Sequence, residues 1–104
     1  MIKNLLTVFF FLTLISCSVN DGELIEVNGK KYETESDRKD RKGFTGTSYK
    51  YIYGTNEIDY KIRYVDGFRE GWTDSYYDGK VVKKSCFKRG RSEGFMYCYD
   101  KYGD

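Results

Sequence analysis

Between Glu57 and Tyr64 the chain alternates without a fault: Ile58, Tyr60, Ile62 and Tyr64 fall on one side, and Glu57, Asp59, Lys61 and Arg63 on the other. That period of two is the mark of a strand with one buried face. The punctuation around it is equally regular. Gly54-Thr55-Asn56, Asp66-Gly67, Asp78-Gly79 and Arg89-Gly90 place Gly or Asn where turns need positive φ. No proline interrupts the ladders. The pattern predicts five strands in a meander, at about 46–53, 57–65, 71–77, 80–88 and 94–100. Upstream, Glu23–Val27 and Lys30–Thr34 flank Asn28-Gly29, a pair suited to both central positions of a type I′ turn, so a hairpin is expected there. A lone hairpin is marginal and must dock on the strands downstream of it. Glu35 to Lys42 carries only Ser36 among charged residues and reads as a solvated loop.

The strands also repeat. Gly71-Trp72-Thr73-Asp74-Ser75-Tyr76-Tyr77-Asp78-Gly79 is echoed by Gly94-Phe95-Met96-Tyr97-Cys98-Tyr99-Asp100-Lys101-Tyr102-Gly103, and more loosely by Gly46, Tyr51 and Gly54. A period in the twenties marks a small supersecondary unit repeated along an axis. Superposing the copies on Gly46, Gly71 and Gly94 puts Thr47, Tyr49 and Tyr51, then Trp72, Asp74 and Tyr76, then Phe95, Tyr97 and Tyr99 on one face. Ile58, Tyr60, Ile62 and Tyr64 are expected to join them, along with Val81, Lys83, Ser85 and Phe87. Such a face is either a structural aromatic ladder or a Tyr-rich binding surface, and Trp72, Tyr76, Tyr77, Phe95, Tyr97 and Tyr99 are its candidate contact residues.

The opposite face is expected to hold Cys86, Cys98, Lys84 and Lys88. If Phe87 faces Tyr97 across the turn from Arg89 to Glu93, Cys86 faces Cys98 within the range a disulfide can close. A Cys86–Cys98 disulfide is therefore predicted, with a stabilisation of about 3 kcal/mol in the chain-entropy model. Lys84, Lys88, Arg89 and Arg91, with Lys80 and Lys83 nearby, form a basic cluster. Its roles would be to guard an edge against sheet-to-sheet association or to contact anionic headgroups or an acidic partner.

The N-terminus changes the setting. Lys3 precedes an apolar run from Leu5 to Ile15, broken only by Thr7 and Thr13, which ends at Ser16-Cys17. This is the pattern of a secretory signal, too short for a spanning helix of roughly 20 apolar residues. Leu14-Ile15-Ser16-Cys17 resembles the bacterial lipobox, which implies cleavage before Cys17 and acylation of Cys17. Two or three acyl chains anchor stably where one does not. The expected organisation is a signal peptide at 1–16, a tether at 17–22, a hairpin and charged loop at 23–42, and the repeat sheet at 43–104. The formal charge of +2 falls to +1 without Lys3, a near balance that argues against nucleic-acid binding.

Asp66-Gly67-Phe68-Arg69-Glu70-Gly71-Trp72-Thr73-Asp74-Ser75-Tyr76-Tyr77-Asp78-Gly79-Lys80 resembles the bacterial variant of the MORN repeat, with its Gly-Lys turns, Gly-Trp pair and Tyr-Tyr pair. The likeness covers about Gly43 to Asp104. It departs from the pattern at Phe68 and Arg91, where turns often carry Lys, and at Phe95 and Thr47, which replace Trp. The resemblance implies an all-β fold, an elongated single-layer antiparallel meander of hairpins, and membrane or protein association. It also extends to antitoxin or immunity proteins of secreted-toxin modules.

Catalysis is not expected. The chain has no His, no Ser or Cys set beside a base, and no phosphate-cradling loop. No metal site or cofactor is expected, since zinc would be left with two thiols and no imidazole. The function read from the chain is a non-catalytic lipoprotein of the bacterial cell envelope, on the outer membrane or periplasmic face, whose sheet meets a protein or a membrane surface. The alternative is an immunity lipoprotein that neutralises a toxin.

Overall fold

Four two-residue turns organise the chain. Asn28-Gly29, Asp66-Gly67, Asp78-Gly79 and Arg89-Gly90 each hold both residues at positive φ, between 48° and 86°. That is the type I′ conformation, whose twist matches that of the strands it joins. In the computed structural model, which describes residues 18–103, these turns link β2 (Ile25–Val27) to β3 (Lys30–Tyr32), β5 (Ile58–Val65) to β6 (Phe68–Tyr77), β6 to β7 (Lys80–Lys88), and β7 to β8 (Arg91–Glu93). The remaining elements are β1 (Ser18–Asn20), a 3-10 turn at Asp21–Glu23, the short helix α1 (Glu35–Lys39), β4 (Gly46–Tyr51) and the helix α2 (Phe95–Tyr102). The signal peptide expected at 1–16 and the lipidation site expected at Cys17 lie outside the described residues.

The main sheet has six strands in the order β1-β4-β5-β6-β7-β8, and β2-β3 forms a separate hairpin. Strands 46–51, 58–65, 68–77 and 80–88 agree with the pattern of the sequence. The meander is antiparallel from β4 to β8, but β1 runs parallel to β4, with Ser18 beside Thr47 and Asn20 beside Tyr49, so the sheet is mixed. Ser18 to Gly22, expected as a tether, is instead built into the fold: Val19 packs on the core, and Asp21 accepts hydrogen bonds from Ser48 Oγ (2.8 Å) and Tyr64 Oη (3.0 Å). Within the charged run, Thr34 caps α1 by accepting from the Asp37 amide, and Glu35 pairs with Arg38. A capped turn with an i,i+3 ion pair is a helix start that a count of charges does not reveal.

The largest difference is at the C-terminus. Residues expected as a last strand form α2, which lies on the sheet where a hairpin would have lengthened it. With the N-terminal segment packed on the opposite face, the protein is a compact body, not an elongated single layer. The helix arises from spacing. Phe95, Cys98, Tyr99 and Tyr102 fall at i, i+3, i+4 and i+7, one stripe of a helix, and Gly103 at φ 72° ends it. Its N-cap, Gly94, accepts no side-chain cap bond.

The face assignment is also corrected by register. Trp72 pairs with Cys86 and Asp74 with Lys84, whereas Ile62 pairs with Thr73 and Ser48. Thr47, Tyr49, Trp72 and Asp74 therefore share the cysteine face with Lys84 and Lys88, and Ile62 and Tyr64 lie on the other. A one-residue offset exchanges every side chain between faces, and irregular register at Ile62/Tyr64 and Ser75/Tyr76 breaks simple counting. Two small cores result. Phe44, Ile62 and Tyr64 are buried with Val19, Leu24 and Tyr60 on one face, and Trp72, Cys86 and Cys98 with Tyr97 on the other. Burial, reinforced by the Asp21 carboxylate, pushes the Tyr64 hydroxyl up to about 12, which keeps it a donor to Asp21.

The hairpin β2-β3 docks on one end of the sheet through the main chain. Lys31 N donates to Gly67 O (2.9 Å), Phe44 N to Lys31 O (2.9 Å) and Gly67 N to Phe44 O (2.8 Å). This contact needs glycine: a Cβ on Gly67 would meet Lys30 Cγ at 2.4 Å and Lys31 O at 2.8 Å, whereas one on Gly79 would meet nothing within 4 Å. Both turns carry the left-handed penalty of about 1–2 kcal/mol for alanine. Gly67→Ala is expected to cost roughly 3 kcal/mol or more in denaturant melts, and Gly79→Ala only that penalty; equal losses would show that the hairpin is not seated on this turn.

Candidate functional site

Trp72 is the centre of the covered face. Its ring is 5 % exposed and takes edge contacts from Tyr99 at 5.0 Å and Phe95 at 5.8 Å between centroids, both on α2. Its indole Nε1 donates to Gly103 O at 2.9 Å, and Lys84 Nζ stands 5.1 Å from the ring centroid. Buried indoles find a partner for their N–H, and here the helix end supplies it. Across the sheet, Arg63 Nη1 donates to Trp72 O (2.6 Å) and Nη2 pairs with Asp74 Oδ2 (3.4 Å). Asp74 is itself flanked in register by Lys61 and Lys84. Arg63 thus pairs with one oxygen of this buried carboxylate, while Asp74 Oδ1 has no hydrogen-bond partner among the described residues.

Two constraints hold α2 in place. The first is the Cys86–Cys98 disulfide, with a Cα–Cα distance of 5.9 Å. The sequence singled out this pair through cross-strand pairing, but Cys86 is opposite Glu93 in the sheet and meets Cys98 from the helix above. The second is Glu70, which nothing in the local sequence distinguishes from the other acids. Its Oε2 accepts from the hydroxyls of both Tyr97 and Tyr102, and its Oε1 accepts from the Arg89 amide at 3.0 Å. Burial alone would raise the Glu70 carboxyl, but the Tyr102 and Tyr97 hydroxyls, the Arg89 amide and the Lys101 charge together hold it below its ordinary value. The Tyr102 hydroxyl is pushed up by burial and by Glu70, and stays a donor.

Cations gather around this carboxylate. Lys88 Nζ lies 5.2 Å from the Tyr97 ring centroid, and Lys101 Nζ lies 5.7 Å from those of Tyr97 and Tyr102. Lys88, Arg89, Lys101, Glu70, Tyr97 and Tyr102 line much of a cleft of about 310 Å³ at the end of the sheet where β2-β3 docks. Lys88, Arg89, Arg91 and Glu93 line a second cleft of about 360 Å³ beside it. On the Trp72 side, Arg63, Glu70, Trp72, Lys84 and Tyr102 border a third of about 370 Å³. The rim is mixed in charge: Asp66 and Glu70 line the first cleft and Glu93 the second, beside Lys88, Arg89, Arg91 and Lys101.

Of the residues singled out from the sequence, the structure brings together Trp72, Phe95, Tyr97, Tyr99, Lys84, Lys88, Arg89 and Arg91 around α2. Tyr76 and Tyr77 stand apart at the far end of β6, half-buried and exposed respectively. Glu70, Arg63, Lys101 and Tyr102 were missed. The signal for the last two was the helical spacing that ends at Tyr102. Comparison with protein-family models, with curated proteins and with solved structures finds no match.

The lowered Glu70 carboxyl gives a signed pH effect. Its contribution is present above the ordinary carboxylate value of 4.5 and is lost as pH falls through the lower folded value. Glu70→Gln is therefore expected to destabilise the protein near neutral pH, with the gap to the parent closing in acid. Urea midpoints across pH 7 to 3 check this, and a gap independent of pH would assign the loss to packing.

Proposed function

We propose that this protein is a non-catalytic, membrane-anchored module of the bacterial cell envelope, whose basic end rests on the lipid surface and whose sheet serves protein recognition. The observation that carries the reading is the position of Ser18, the residue after Cys17. It is a strand residue beside Thr47, at the same end of the sheet as Lys88, Arg89 and Arg91. An acyl chain on Cys17 would hold that end against the membrane with almost no slack. Cations close to an anionic leaflet are each worth about 1 kcal/mol within a Debye length, so anchor and rim would act together. The Cys86–Cys98 bond fits an exported, oxidising setting. The resemblance of residues 66–80 to MORN-like repeats supports association over catalysis, although the last copy departs from a hairpin.

Fractionation tests the anchor: Cys17→Ala is expected to move the protein from the membrane to the soluble fraction, and unchanged sedimentation would overturn it. The rim is tested by binding of the released protein to phosphatidylglycerol vesicles at low salt. Arg89→Ala and Arg91→Ala should each weaken binding about fivefold. Vesicle binding that ignores both substitutions would contradict the orientation.

A further inference from the structure

The outermost long strand, β7, is covered along only about a third of its length. β8 pairs with Cys86, Phe87 and Lys88 and then gives way to α2, which packs on the Trp72 face. From Lys80 to Ser85 no strand among the described residues pairs with the outer side of β7. This open stretch spans roughly 17–20 Å of extended backbone. It begins at the end of the sheet away from Ser18 and the basic rim, since β6 carries the chain about 30 Å from Phe68 to Tyr77 before the turn. Val81 and Val82 are 45 % and 63 % exposed there, beside Tyr77 at 75 %.

We propose that the open edge of β7 is a docking site for an extended, acidic segment of another protein, which adds as a strand beside Lys80–Ser85. An edge offers a row of main-chain donors and acceptors, and only another extended chain matches them. A lipid surface or a small anion would leave that row unpaired. The charge selects the class of partner: Lys80 and Lys83 lie opposite Tyr77 and Ser75, with the register irregularity between them, so both project to one face of the strand, and a segment with acidic residues along one face is complemented. Val81 and Val82 provide apolar contact between them. A second copy of this chain pairing edge to edge would bring the lysines of both copies together, the arrangement by which lysine-bearing edges avoid self-association. The outward orientation rests on the anchor proposed above; the strand addition itself does not.

The test uses the full chain, purified from whole cells in detergent, so its result is independent of where the protein is anchored. The probes are a short alternating Val-Glu peptide and its Val-Lys counterpart. The Val-Glu peptide is expected to bind at least about tenfold more tightly, and to slow amide hydrogen exchange at Val81–Ser85 while leaving Ile62 unchanged. The double substitution Lys80→Glu and Lys83→Glu, folded by circular dichroism, should reverse the preference. Absence of binding, equal affinity for both peptides, or protection that appears elsewhere overturns the proposal. So does a dimer in which these amides are already protected without peptide, because a second copy would then hold the edge.

Discussion

The bond between Cys86 and Cys98 lies at the point on which the rest of the covered face depends. Cys86 is Trp72's cross-strand partner, and Cys98 sits at the middle of α2, so one covalent link fixes the helix directly over the indole. With α2 held there, Tyr99 and Phe95 close on the ring and Gly103 receives the indole proton. Tyr97 and Tyr102 reach the Glu70 carboxylate from the same helix. A short helix without a side-chain cap is marginal alone, and this one is stabilised almost wholly by its contacts with the sheet. Gly71 contributes by absence, since a Cβ there would crowd the Tyr102 ring at 3.3 Å.

The opposite face rests on smaller means. Asp21 gathers Ser48 and Tyr64 into one hydrogen-bonded group, which seals the Phe44, Ile62 and Tyr64 cluster and draws β1 into the sheet. With Ser18 beside Thr47, the first described residue is already part of the sheet, and the anchor proposed at Cys17 would orient the fold. The fold has two unlike ends, one carrying Lys88, Arg89 and Arg91 and the β2-β3 hairpin, the other carrying exposed Tyr77, Val81 and Val82 beside Lys80 at the open edge of β7.

The meander was legible because its signals are local. Asn28-Gly29, Asp66-Gly67 and Asp78-Gly79 announce their turns, and the alternation from Ile58 to Tyr64 announces a strand whose buried face is the one observed. What failed was inference across strands. Which face Trp72 shares with the returning strand depends on register, and the irregularities near Gly71 and Ser75 are not written in any single residue. The helix was hidden by likeness: Gly94-Phe95 repeats Gly71-Trp72, and aromatic residues favour strands. Its own spacing, Phe95, Cys98, Tyr99 and Tyr102, carried the competing signal. The candidate site was half visible for the same reason. Trp72, the cysteines and the basic cluster stand out in the sequence, whereas Glu70 matters only once Tyr97 and Tyr102 are placed on one helix.

The chain's last aromatic copy folds as a helix clamped on Trp72, not as a further strand. Nuclear magnetic resonance of the oxidised protein tests it most directly. Helical backbone shifts from Phe95 to Tyr102, with Overhauser contacts from the Trp72 ring to Tyr99 and Phe95, are the predicted result. Extended shifts over those residues, with cross-strand contacts between Cys98 and Cys86 neighbours in an antiparallel ladder, would contradict it.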